Sequence, residues 1–151
     1  MADPIEAARR HDDAFNAHDP EARTASQTPD VESVLPGGIT LRGSEQGLGF
    51  LKVFWEAIPD ARITWTGQLV EGDALAIEGM LTGTHTGTFR APQGEIPASG
   101  NRIALRYAAV KRIRDGKVAS EHLYFDQMEL LQQLGALPAP ANVPSSVENA
   151  P

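Results

Sequence analysis

The chain has no cysteine among its 151 residues. That excludes disulfides and thiolate metal sites, and it suits a cytoplasmic protein without requiring one. Long apolar runs are also missing, so no segment is expected to cross a bilayer as a helix. The N-terminal stretch "MADPIEAARRHDD" has acidic residues and no apolar core, so no secretory signal is expected. Basic residues are scarce beside acidic ones, 13 against 20, for a net charge of -7. That balance argues against nucleic acid or an anionic membrane as partner. No phosphate loop, dinucleotide fingerprint, serine elbow or zinc-ligand spacing is present. The expectation is a cytoplasmic protein with no cofactor and no metal.

What is present reads as one domain. Asp3, Pro4 and Glu6 signal a helix start, and Ile5, Ala8, His11, Phe15 and His18 recur at spacings of three and four. Asp19-Pro20 ends that helix and starts a short second one, through about residue 27. Residues 28 to 38 are turn-rich, with a short strand over Val31 to Leu35. Residues 39 to 43 read as another strand. Ser44 is placed to cap a third helix whose stripe is Leu48, Leu51, Phe54, Trp55 and Ile58. From Ala61 the period becomes two. One hairpin turns at Gly72-Asp73, a loop covers 90 to 101, and a second hairpin turns at Asp115-Gly116. A last helix is expected from Gln127 to Leu134, closed by Gly135. The tail from 137 to 151 is rich in Pro and Ala and is expected to be mobile. Helices, then antiparallel strands, then a short helix predict an α+β fold with helices on one face of a curved sheet.

The second hairpin gathers the chemistry. A two-residue turn at Asp115-Gly116 sets Ala109 opposite His122, Tyr107 opposite Tyr124 and Leu105 opposite Asp126. These residues then share one face with Ile103, Ile113 and Val118, while Arg106, Arg112, Arg114, Lys117 and Glu121 take the more charged face. A carboxylate in apolar surroundings beside an imidazole and two phenols suits abstraction of a carbon-bound proton. A one-residue bulge would move half of this set to the other face. Each residue also has a plainer reading. Asp126 and Glu129 form a capping box, Tyr107 and Tyr124 a cross-strand pair, and His122 a core histidine with its bonds satisfied. His85, in "GTHTGTF", either bonds a substrate oxygen or its own threonines. His11 and His18 lie two helical turns apart, too far to share one ion. The arginine face is either solvated or part of a dimer interface.

The segments "NAHDPEA", "LRGSEQGLGFLKVFWEAIPD", "GTHTGTF", "RIRDGKVASEHLYFD" and "LLQQLG", in this order, resemble the SnoaL-like polyketide cyclases, or ester cyclases, of the nuclear transport factor 2-like superfamily. The resemblance spans residues 4 to about 136 and implies a single domain over 1–136. It implies a curved antiparallel sheet wrapped over about three N-terminal helices, an apolar pocket and a homo-oligomer, commonly a dimer or tetramer, with a homodimer expected here. It also implies metal-free acid/base chemistry of the intramolecular aldol type on a hydrophobic polyketide-like molecule. The acid–base aspartate of the family matches Asp126. His122 is the nearest candidate for a second catalytic group. Tyr107, Tyr124, His85, Phe15, Phe54, Trp55, Trp65, Met80 and Phe89 are expected to touch substrate. The chain departs from its relatives at Ala98-Ser99-Gly100, where many read Pro-Thr-Gly, and at Leu123, where Trp is common. Two alternatives stand: a non-catalytic binding protein on the same fold, or an epoxide hydrolase or dehydratase.

Overall fold

A computed structural model describes residues 3–91 and 94–138. The mobility expected of the tail concerns residues that lie almost wholly outside that range. In chain order the elements are α1 (Pro4–Asn16), α2 (Pro20–Ala25), β1 (Gln27–Leu35), β2 (Ile39–Arg42), α3 (Ser44–Ala57), β3 (Arg62–Glu71), β4 (Ala74–Thr84), β5 (Phe89–Ala91), β6 (Gly94–Ile96), β7 (Arg102–Arg114), β8 (Lys117–Tyr124) and α4 (Gln127–Gln133).

The helix starts follow the local chemistry. Asp3 accepts from the Ile5 N–H at 2.9 Å and Asp19 from the Ala22 N–H at 3.0 Å, each with Pro in the first turn behind it. The third start differs from expectation. Gly43 is the N-cap of α3 and supplies no side-chain bond, so Ser44 is the first helical residue rather than the cap. The α3 stripe buries Phe54, Ala57 and Ile58 against β4 and β7.

Six strands form one sheet in the order β2-β1-β8-β7-β4-β3. Four of its pairs are antiparallel, but β1 runs parallel to β8, so the sheet is mixed where the sequence suggested antiparallel pairing throughout. That contact joins strands far apart in the chain, and no turn motif reports it. The strand expected over Val31 to Leu35 is longer, starting at Gln27. Within the expected loop, β5 and β6 make a small separate hairpin.

Both sheet hairpins turn where expected. Asp115 and Gly116 have φ of 55° and 73°, the left-handed pair that a tight two-residue hairpin needs. Beyond that turn the register departs from simple counting. Ile113 pairs with Val118, but Arg112 pairs with Ser120, so Ala119 is an extra residue in β8. Every residue of β8 after it changes face.

Candidate functional site

Alternation along β7 buries Ile103, Leu105, Ala109, Lys111 and Ile113, with half-buried Tyr107 in the same series. The Ala119 bulge brings Glu121, Leu123 and Phe125 of the β8 segment to that inner face. Together with Phe15 of α1 and Phe50, Leu51 and Phe54 of α3, they line an apolar chamber of about 80 Å³. Asp12, Arg23, Tyr107 and Glu121 are the polar side chains at its wall. A second, larger space of about 670 Å³ lies among α3, β5, β6 and α4, and Phe50, Phe54 and Phe125 border both.

A buried ionic cluster adjoins the inner chamber. Lys111, with 0% exposure, bonds the Asp12 carboxylate, lies 3.1 Å from Glu121 Oε2 and donates to His11 Nδ1 at 2.9 Å. Arg23 donates to the His11 carbonyl at 2.7 Å and sets its two terminal nitrogens 3.6 Å from Asp12 and 3.8 Å from Glu121. The Trp65 indole donates to the other Asp12 oxygen at 2.8 Å. His11, Asp12 and Glu121 offer donor atoms within 4.8 Å of one another, a spacing a cation could use. Lys111 Nζ is within bonding reach of all three, so an ammonium already serves them.

Charge and burial decide the protonation states. Burial, then the Arg23 and Lys111 charges, push the His11 imidazole down to about 3, so the ring is neutral near pH 7. Because Lys111 has only protons to give, Nδ1 is the acceptor and the ring proton belongs on Nε2; the Gln27 amide nitrogen lies 2.9 Å from Nε2, so the amide must turn its oxygen to that position to accept the proton. Burial raises the two acids, but Lys111 leads a set of opposing interactions that hold both Asp12 and Glu121 below the usual carboxylate range. Burial, then the Asp12 and Glu121 charges, push the Tyr107 phenol well up, so it remains a donor. Its ring lies over Gly79 of β4, where a Cβ would come within 2.6 Å of Cζ and Oη.

The expected site residues divide. Phe15, Phe54 and Tyr107 line the inner chamber, and Phe54 and Phe89 the outer space. The hairpin face inferred from counting is corrected by the bulge, which separates His122, Tyr124 and Asp126 from Tyr107. His122 pairs with Val110 on the outward-facing side, Tyr124 is 56% exposed, and neither borders the chamber. Asp126 is exposed and accepts from the Met128 and Glu129 N–H groups at 2.9 and 3.2 Å, the geometry of a helix cap. Met80 alternates with buried Leu81 and faces outward across from Arg106. Trp55 stacks on His18 at 5.1 Å rather than on the chamber. Trp65 reaches the site only through Asp12, and Arg9 covers its ring at 3.9 Å. His85 is wholly buried, with Nδ1 2.9 Å from Ser99 Oγ and its backbone bonded to Gly100 and Asn101. It ties β4 to the loop before β7.

Sequence reasoning missed Asp12, Arg23, Lys111 and Glu121. Lys111 had a legible signal, because it shares parity with Ile103, Leu105, Ala109 and Ile113 in an otherwise apolar series. Asp12 sits one turn after buried Ala8. Glu121 had no such signal, since only the bulge turns it inward.

A curved sheet with helices on one face, here around a chamber of apolar walls and buried acids, is the nuclear transport factor 2-like fold. The chain belongs to the SnoaL-like polyketide cyclase family, which matches residues 5–134. Among solved structures, a candidate SnoaL-like polyketide cyclase from Jannaschia sp. CCS1 is 24% identical, with coverage of 89% of this chain and 93% of that one and a TM-score of 0.78. IdmH, a candidate polyketide cyclase from Streptomyces antibioticus, is 26% identical, covering 87% and 98%, with a TM-score of 0.74. AclR, a candidate hydroxylase from Streptomyces galilaeus, is 23% identical, covering 96% and 87%, with a TM-score of 0.78. A search of curated proteins finds no match.

Proposed function

We propose that the protein is a cofactor-free acid–base catalyst, a cyclase or isomerase, acting on a hydrophobic polyketide-like carbonyl compound. The observation that supports this most is the pair of ionised carboxylates, Asp12 and Glu121, at the wall of an otherwise apolar chamber. Glu121 is the better base of the two. Both Asp12 oxygens accept hydrogen bonds, from Lys111 and Trp65, whereas Glu121 Oε1 has only Arg23 at 3.8 Å. In the step envisaged, a proton alpha to a carbonyl passes to Glu121, and its bonding pair forms the enolate. The enolate carbon then attacks a second carbonyl, closing a ring, or regains a proton elsewhere, isomerising the substrate. Asp126, the residue the family resemblance favours, is the rival base.

Proton exchange into 2-tetralone, a fused bicyclic ketone with acidic alpha protons, tests this by NMR in D₂O. Exchange reduced at least about 100-fold in Glu121→Gln, with Asp126→Asn close to wild type, supports the assignment. The reverse pattern returns the role to Asp126. Wild-type protein that binds 2-tetralone without exchanging its protons supports the second reading, a binding protein. That reading is favoured by the Asp126 carboxylate, whose hydrogen bonds all go to its own helix.

A further inference from the structure

We infer that the inner chamber is a socket for a single ligand oxygen, a carbonyl or enolate oxygen received by the Tyr107 hydroxyl and the Arg23 Nε–H. The fused-ring body of the ligand stays behind in the outer space. The inference deepens the proposed function and rests on that reading for the carbonyl chemistry.

Tyr107 and Arg23 both line the chamber, and the Tyr107 hydroxyl and the Arg23 Nε–H are buried without a hydrogen-bond partner among the described residues. Arg23 is only 6% exposed. Native proteins satisfy nearly all buried donors, so two unpaired ones on residues of a single chamber call for an acceptor, which a ligand oxygen would supply. Asp12 and Glu121 cannot supply it, because Arg23 turns its terminal nitrogens toward them and leaves Nε over. Tyr107 is seated firmly, since its ring fills the space where Gly79 has no side chain.

Charge points the same way. Asp12, Glu121, Arg23 and Lys111 sum to zero, and His11 is neutral. A neutral carbonyl therefore enters a neutral site. Once Glu121 takes the alpha proton, the cluster carries one positive charge and the enolate one negative charge. The developing charge is matched without any rearrangement of the protein.

Size sets the orientation. The inner chamber, about 80 Å³, falls below the usual volume of a ligand pocket, while the outer space, about 670 Å³, lies within it. Phe50, Phe54 and Phe125 border both, with Phe50 and Phe54 in contact at 5.1 Å between ring centres. A ligand whose rings lie in the larger space would present an edge oxygen to the smaller one.

The test compares 2-tetralone with tetralin, which has the same rings and no oxygen, by calorimetric titration. Tyr107→Phe is expected to weaken 2-tetralone about tenfold and tetralin less than twofold. Equal effects on both, or none on either, overturn the socket. Infrared spectroscopy adds a measurement independent of affinity. The carbonyl stretch of bound 2-tetralone should move to lower frequency in wild type and back in Tyr107→Phe, and an unshifted band in wild type also overturns it. Leu131→Trp, at the wall of the outer space, should weaken both ligands. If it weakens neither, the ring body lies elsewhere and the orientation is wrong. None of these readouts involves turnover. Oxygen recognition without proton exchange would defeat the catalytic reading alone, and exchange without Tyr107-dependent recognition would defeat this one.

Discussion

Replacing Lys111 by Met is the most informative single perturbation of the ionic cluster. Methionine keeps an unbranched chain in a fully buried position and removes the ammonium that serves His11, Asp12 and Glu121. Two carboxylates with 8% and 12% side-chain exposure are then left with Arg23, whose nearest nitrogens are 3.6 and 3.8 Å away. Removing one partner of a buried ion pair costs about 3–5 kcal/mol, which is a large part of a domain's stability. Urea denaturation at pH 7 should show a loss of that size. The loss should also depend on pH in a defined direction. In wild type the folded-state values of Asp12 and Glu121 are depressed, so their contribution is complete above the ordinary glutamate value of 4.5 and is lost as pH falls further. In Lys111→Met, burial acts without its main counterweight and raises both acids, so acid relieves the variant while it weakens wild type. The gap should therefore narrow between pH 7 and pH 4.5 and close further below. A loss under about 1 kcal/mol, or a gap that ignores pH, would show that Lys111 is not the charge partner argued here.

Two further outcomes are expected. His11 is lowered from 6.5 to about 3, so its contribution to stability is complete above 6.5 and is lost as pH falls toward 3, with a slope near 1.4 kcal/mol per pH unit. His85, also pushed down by burial, adds in the same direction. His11→Gln should flatten chemical denaturation midpoints between pH 6.5 and 4.5, and an unchanged slope would count against a neutral buried His11. Asp126→Ala should lower stability by about 1 kcal/mol, while Asp126→Asn should cost only a few tenths, as measured by thermal unfolding. Equal losses would mean that the cap bonds to Met128 and Glu129 matter little.

Much of the fold was legible because its signals are local. Asp3-Pro4 and Asp19-Pro20 cap helices within their own next turn, and Asp115-Gly116 bends a hairpin through two residues' own dihedral preferences. Asp126 likewise caps the last helix through atoms no more than three residues away. Phe15 and Phe54 follow the helical period into the core. Lys111 was legible too, through strand parity, although its partners on other elements were not.

Long-range geometry decided the rest. A single extra residue, Ala119, exchanges the faces of all that follows it in β8, since side chains alternate strictly along a strand. It withdraws His122, Tyr124 and Asp126 from the face that counting gave them and puts Glu121 beside Lys111. The parallel pairing of β1 with β8 and the approach of α1 to β7 then bring Asp12, Arg23 and Glu121 together from three elements. By itself the sequence determined the helices, the two turns of the sheet hairpins and the family. Which carboxylate meets the chamber was settled only in the tertiary structure, because face is a property of register between strands.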